Sequence, residues 1–368
     1  MKSSNIAAEM IINATCPEDV FGILVGDQIA AATKIYKQIV MEVHPDHFMN
    51  KSGLPEAQIA FVRLTTLRKE AEFKIRAGTY GDRKKASVIP PVVSSEPIEV
   101  TVRGKKIIVT DVAFSGDICD IYRCTIDGQD LAFKIAHNAS VNDLAENESK
   151  VLEKLFPAKA KEEKFFRYFP QLLDSFVLKN GKSNRRVNVM PMYSEYRSMN
   201  DIIRAFPKGI DFRDMVWMFK RTLVGLGYAH REGFVHGAVI PPHVLVHPIG
   251  HGAKIIDWCY SVTGKGRIKA ISPDYKLYYA PEIFKKENVS GATDIYMAAK
   301  CAISIIGGNV EDNSMPDSVP QQIQNFLKGC LFASQSKRPN DAWEVHDEFN
   351  ELLKKVVGKS KYRPFTIP

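Results

Sequence analysis

The chain has 368 residues, enough for two or three domains and at least one large core. Hydrophobic residues make up 45% and charged residues 25%, an ordinary globular mix that excludes disorder over most of the length. The 50 basic and 42 acidic residues leave a net charge of +8, a modest excess that favours acidic partners without identifying them.

The basic residues are scattered among acids. The densest run, Arg83-Lys84-Lys85, reads as solvated linker charge, so nucleic acid is not an expected partner. Six cysteines (Cys16, Cys119, Cys124, Cys259, Cys301, Cys330) lie far apart with no C-x-x-C pair, and the expected compartment is a reducing cytoplasm. Glu9 interrupts the first apolar stretch, so no signal-peptide core is expected. The most apolar helical stretch, Ile295 to Ile306, contains Lys300 and falls short of the roughly 20 residues a membrane span needs. No membrane association is expected.

In chain order, the spacing of Ile35, Ile39 and Val43 predicts a helix over 28–43, with Lys34 and Lys37 on other faces. It stops near Val43, because Pro45 keeps its predecessor out of helical geometry. A second helix runs from about Pro55 to Arg76, carrying Ile59, Val62, Leu64 and Leu67, and Gly78 and Gly81 end it. Residues 79–98, with Pro90, Pro91 and Pro97, read as a linker. From Val100 the pattern turns to β-branched strands at Ile107-Ile108-Val109, Ile118 to Cys124 and Leu131 to Ile135, with Asp127-Gly128 as a hairpin turn. A helix follows over about Val141 to Leu155. Beyond residue 210 the chain reads as mostly helical, broken by short strands at Val244-Leu245-Val246 and Ile255-Ile256. Strands first and helices later suggest two lobes of different character. His247 and His251 are placed by Pro248 and two glycines in an exposed turn, and His230 is expected to pack within its helix.

His44-Pro45-Asp46 stands between the first two helices. Proline stiffens such a loop, and His and Asp offer a donor and a charged acceptor. Over residues 28–78 this arrangement resembles a J-domain, with Phe61 and Leu64 at apolar positions of the second helix. The resemblance implies a heat-shock chaperone ATPase as partner, contacted through Lys34, Lys37, His44, Pro45 and Asp46. Met41 and Glu42 depart from the basic residues the family often carries there.

From about residue 105 to 352 the motifs follow the order of a protein kinase, to which this region is similar. Lys134, in Ala132-Phe133-Lys134-Ile135, stands at the third-strand lysine that neutralises ATP phosphates, and Glu148 is placed to pair with it from a helix. Asp257-Trp258-Cys259 stands for Asp-Phe-Gly, with Asp257 as the metal-binding carboxylate. Ala280-Pro281-Glu282 matches the end of the activation segment, Arg338 the buried partner of that glutamate, and Asp294 the acid that ties the following helix to the catalytic loop.

The departures fall on the chemistry. Of three loop glycines only Gly116 remains; Phe114 and Cys119 take the other places, which weakens a backbone grip on phosphate. In His236-Gly237-Ala238 the alanine stands where the family has the aspartate that accepts the substrate proton, and His243 stands where it has the magnesium-binding asparagine. Neutral histidine is a poor magnesium ligand. Cys259 replaces a glycine and should stiffen its segment. Ser261, Thr263 and Ser272 are hydroxyls of the activation segment.

The expected fold is α+β: a two-lobed kinase-like fold behind a small all-α J-domain-like domain. Its expected parts are an N-terminal helical extension over 1–27, the J-like domain over 28–78, the linker over 79–98, an N-lobe over 99–190, a C-lobe over 191–358 and a tail over 359–368. The expected function is a pseudokinase-type binding module that holds ATP through Gly116, Lys134, Glu148 and Asp257, with magnesium in doubt, and that brings a chaperone to an unknown protein client. Two alternatives stand beside it: an active atypical phosphotransferase in which another group replaces the base, and a scaffold that binds no nucleotide.

Overall fold

The structure is a computed structural model and describes residues 6–14, 16–22, 24, 27–43, 54–76, 80–81, 94–102, 105–126, 129–156, 163–180, 183–264, 266–358 and 362–367. The chain divides into two units, Met1–Ile98 with Thr110–Val112 and Glu99–Val109 with Ala113–Pro368.

The first unit contains helices α1 (Ile6–Asn13), α2 (Glu18–Phe21), α3 (Gln28–Val43) and α4 (Leu54–Arg76). Ala60, Leu64, Leu67 and Ala71 recur every three or four residues along α4, so their side chains form one buried stripe. Ala32 and Val43 of α3 join it, with Ile35 and Ile39 packed at its margin. Ile11, Phe21 and Leu24 are buried in the same cluster, so the N-terminal stretch shares this core and is more than an extension. Buried Glu18 accepts from Lys74 Nζ at 2.9 Å on both oxygens and from the Gly81 amide at 3.1 Å, which fastens α2 to the far end of α4.

The long sheet has strand order β1-β2-β3-β4-β6-β5: β1 (Ser94–Val102), β2 (Lys105–Ser115), β3 (Cys119–Ile126), β4 (Gln129–Ala136), β5 (Asp174–Asn180) and β6 (Ser183–Pro191), of which β3 to β6 lie wholly in the second unit. β1 begins at Ser94, inside the stretch expected to be linker. Pro97 is tolerated because β1 is the outermost strand, where a missing N–H breaks no central ladder. β3 pairs antiparallel with β4 in a register that closes at Ile126↔Gln129; Asp127 and Gly128 lie outside the described residues. β6 pairs antiparallel with both β4 and β5. Helix α5 (Asn142–Leu155) buries Ala145, Glu148, Val151, Leu152 and Leu155 along one side.

The remainder is mostly helical: α6 (Met199–Ala205), α7 (Phe212–Arg231), α8 (Pro281–Phe284), α9 (Gly291–Ile305), α10 (Gln321–Gly329) and α11 (Ala342–Val356). Two small antiparallel sheets interrupt it, β7 (Arg197–Ser198) with β9 (Val244–His247) and β10 (Gly252–Ile255), and β8 (Phe234–Val235) with β11 (Val262–Thr263). Ile256 falls just outside β10, and its amide donates to the His243 carbonyl at 2.9 Å. Phe219, Leu223, Trp258, Ile295 and Phe349 are central members of the core. The apolar stretch 295–306 is explained by burial on all sides of α9. Its Lys300 donates to the Val310 carbonyl and, at 2.6 Å, to Asn313 Oδ1. The described residues contain no helix long and apolar enough to cross a membrane.

Helices and an antiparallel sheet in this order make an α+β fold, compatible with a kinase-like one. Two local expectations change. His251 is not an exposed turn residue, because its ring stacks on Trp217 with centroids 4.2 Å apart and planes 4° apart. His247 is half-buried and meets Glu195 at 3.1 Å. The tail over 362–367 is also docked: Phe365 is buried, and Arg363 pairs with Asp211 at 3.2 Å.

Candidate functional site: a closed cluster around Lys134

Lys134 lies on β4 opposite Asn188 of β6, and the two share one face of the sheet. α5 brings Glu148 to that face. The chain after β10 brings Asp257, whose backbone is left-handed (φ 66°), a conformation that costs a non-glycine residue about 1–2 kcal/mol. The result is a buried ammonium held by three acceptors: Glu148 Oε1 at 3.0 Å, Asp257 Oδ1 at 2.7 Å and Cys259 Sγ at 3.2 Å. Burial alone would depress the lysine, but the Asp257 carboxylate, with Glu148, carries its pKa well above the usual range. Burial would likewise raise Asp257, yet Lys134 and His243 hold it well below the usual carboxylate range. Burial and a bond to the Cys119 thiol push Cys259 well above the usual thiol range, so it stays an S–H group.

His243 follows Pro241 and Pro242 in a 3-10 turn. Its Nδ1 lies 2.8 Å from the Ala238 carbonyl and its Nε2 lies 3.1 Å from Asp257 Oδ2. A carbonyl only accepts, so Nδ1 donates. Nε2 can then donate to the carboxylate only when the ring carries both protons. Ala238 itself is fully buried, so no part of its side chain reaches a substrate.

The loop that carries these residues is fixed from behind. The His236 and Gly237 amides donate to Asp294 at 2.7 and 2.8 Å, and His230 Nε2 meets the same carboxylate at 2.9 Å, so His230 ties two elements together where packing alone was expected. His236 Nε2 donates to the Ile256 carbonyl at 2.9 Å, while its Nδ1 accepts from the Ala238 amide at 3.2 Å. That pattern fits only the neutral ring, and burial pushes its pKa down to about 4. Gly237 has φ 72°, and a Cβ there would meet Ile268 Cδ1 at 2.1 Å, so neither its backbone nor its surroundings admit a side chain. Arg338 Nη2 donates to Glu282 Oε2 at 2.6 Å, both groups buried.

The structure thus brings Lys134, Glu148, Asp257 and His243 into one cluster. Gly116 is an exposed turn residue whose amide donates to the Cys119 carbonyl at 2.9 Å, and Phe114 beside it is 60% exposed. Lys34 and Lys37 are exposed on α3, whereas His44, Pro45 and Asp46 lie outside the described residues. Of the activation-segment hydroxyls, Ser261 and Ser272 are buried, and Thr263 is exposed. Two residues went unnoticed in the sequence. Asn188 donates to Glu148 Oε2 at 3.0 Å, and the sign was a lone amide in the apolar run Val187 to Met190. Asn147 donates to the carbonyls of Cys259 and Ser261 at 3.2 and 2.9 Å, holding the segment after Asp257 against α5; nothing local in the sequence marks it.

The kinase resemblance implies a divalent metal at Asp257. The residues there do not fit one: Lys134 and His243 take its two carboxylate oxygens, and His243 supplies nitrogen where a hard ion needs oxygen.

No family model matches the chain. Among curated proteins it is 24% identical over 247 residues to a TBC domain-containing protein kinase-like protein of Mus musculus. The match covers 54% of this chain and 26% of that protein, so the chain spans about a quarter of the length of the curated relative it matches. This distant similarity hints at a kinase-like domain.

Proposed function

We propose that the second unit is a pseudokinase-type module that holds a nucleotide, ATP by class, without transferring its phosphoryl group, and that the first unit recruits a heat-shock chaperone to a protein bound by the second. The observation that carries the reading is the state of Ala238 and His243. The position assigned to the base is a buried methyl group, and the position assigned to the asparagine is a ring bonded to Asp257. Loss of a general base alone removes about a hundredfold to ten-thousandfold in rate. Lys134 and the backbone at Gly116 are the groups that would meet phosphate, and a bound nucleotide would stabilise the unit by mass action. The distant kinase-like relative supports a kinase-like reading of the chain.

With labelled ATP and magnesium, phosphate transfer is expected to stay at the level of Lys134→Ala, while ATP raises the melting temperature saturably. Turnover abolished by Lys134→Ala or Asp257→Ala would restore the active phosphotransferase. No thermal shift at millimolar ATP would leave the scaffold, which the engagement of Lys134 by two carboxylates favours. Chaperone recruitment rests on the His44-Pro45-Asp46 motif and the exposed Lys34 and Lys37. The full chain is expected to stimulate a cognate heat-shock ATPase, and His44→Gln to abolish that stimulation. Equal stimulation by both proteins removes any role for the loop.

A further inference from the structure

We infer that the Lys134 cleft takes no divalent metal ion, because the chain fills the cation position with its own side chains. One ligand atom each from Glu148, Asp257 and Cys259 lies within 4.8 Å of the others, the spacing a bound ion would need. Lys134 Nζ sits among the three, at 3.0, 2.7 and 3.2 Å. A magnesium ion requires oxygen contacts of about 2.1 Å, so an ion placed among these atoms would overlap the ammonium.

Each carboxylate oxygen already has a donor. Glu148 Oε1 accepts from Lys134 and from the Trp258 amide at 3.2 Å, and Oε2 accepts from Asn188. Asp257 Oδ1 accepts from Lys134 and Oδ2 from His243. The third potential ligand, Cys259 Sγ, is a soft sulfur that a hard magnesium ion does not favour, and it already faces Lys134 Nζ at 3.2 Å. Lys134 fills the space among the three ligand atoms, and His243 Nε2 lies 3.1 Å from the remaining oxygen of Asp257, so neither oxygen of that carboxylate is left open to an ion. The inference deepens the nucleotide reading above and rests on it in one respect: a nucleotide held here is held without a metal bridge.

The test titrates the full chain with Mn2+ and follows free ion by electron paramagnetic resonance. The wild type is expected to bind no ion that Asp257→Asn removes. One equivalent bound by the wild type and lost in Asp257→Asn overturns the inference, whether or not any nucleotide binds. His243→Asn supplies an oxygen donor and frees Asp257 Oδ2, and Lys134→Ala empties the central position; a gain in Mn2+ affinity of roughly tenfold or more is expected in whichever variant folds. No gain in any folded variant also overturns it, since something other than these two side chains then keeps the ion out. With ADP as probe, the thermal shift is expected to be equal in magnesium and in EDTA, and a shift confined to magnesium overturns the inference. No shift in either buffer counts against the nucleotide reading alone, and the manganese titration still decides this one.

Discussion

Replacing Arg338 by alanine is expected to lower the unfolding free energy of the second unit by about 3–5 kcal/mol. Glu282 and Arg338 are joined at 2.6 Å with side-chain exposures of 2% and 0%, so neither charge is relieved by water. Glu282 Oε1 accepts from Thr293 Oγ1 at 2.7 Å and from Gln335 Nε2 at 3.2 Å, and both are neutral donors. Without the guanidinium the carboxylate stays buried with only those two donors, and it must either bear the desolvation cost or take up a proton. Arg338 also donates to the Ala292 carbonyl at 3.3 Å and lies over the Tyr296 ring at 5.1 Å, so truncation removes packing as well as charge. All three tryptophans, Trp217, Trp258 and Trp343, belong to the second unit, and their fluorescence in a urea titration reports that unit alone. Removing both partners together should cost far less than removing one, because no charge is then stranded. A loss below about 1 kcal/mol in Arg338→Ala would mean that the pair is solvated in solution.

The pairing of Glu282 with Arg338 was legible in the sequence through the resemblance to a protein kinase, whose motif order implies these two as partners. The same holds for Lys134 with Glu148, and for Asp294 at the start of an apolar helix. The α4 stripe was legible in part, through Leu64 and Leu67, because helical spacing repeats and can be counted. The contacts that define the cleft leave no such periodic trace. His243 meets Asp257 across a β-hairpin, Asn147 meets carbonyls more than a hundred residues away, and Asn188 reaches Glu148 through the register of two strands. The start of β1 was missed because Pro97 and the serines before it carry a loop composition, which an edge strand tolerates. Sequence thus placed the groups, and their state of engagement appeared only with the fold. The departure at His243 reads as a poorer metal ligand in the sequence; the structure makes the same residue the partner of the carboxylate that a metal would have needed.

Asp294→Ala is the second large effect, and it reaches the cleft from below. The carboxylate is fully buried in the first turn of α9, a helix opened by the reciprocal Ser290–Thr293 cap. It accepts from the His236 amide, the Gly237 amide and the His230 ring, and the two amide bonds are buried. Leaving each buried donor unsatisfied costs about 1–3 kcal/mol, so the alanine variant is expected to lose about 3–5 kcal/mol once partial relaxation is allowed for. Asparagine should do only slightly better, because its NH2 would face donors where the carboxylate offered a second acceptor. The loss is not confined to stability. His236 and Gly237 lead directly into Ala238, whose carbonyl fixes the His243 ring, so a loosened loop frees His243 from Asp257. Urea unfolding read by tryptophan fluorescence measures the first effect. Hydrogen exchange measures the second, with the His236 and Gly237 amides expected to exchange faster in folded Asp294→Asn than in the wild type. Unchanged protection of those two amides would show that Asp294 stabilises α9 alone and does not hold the loop beneath the cleft.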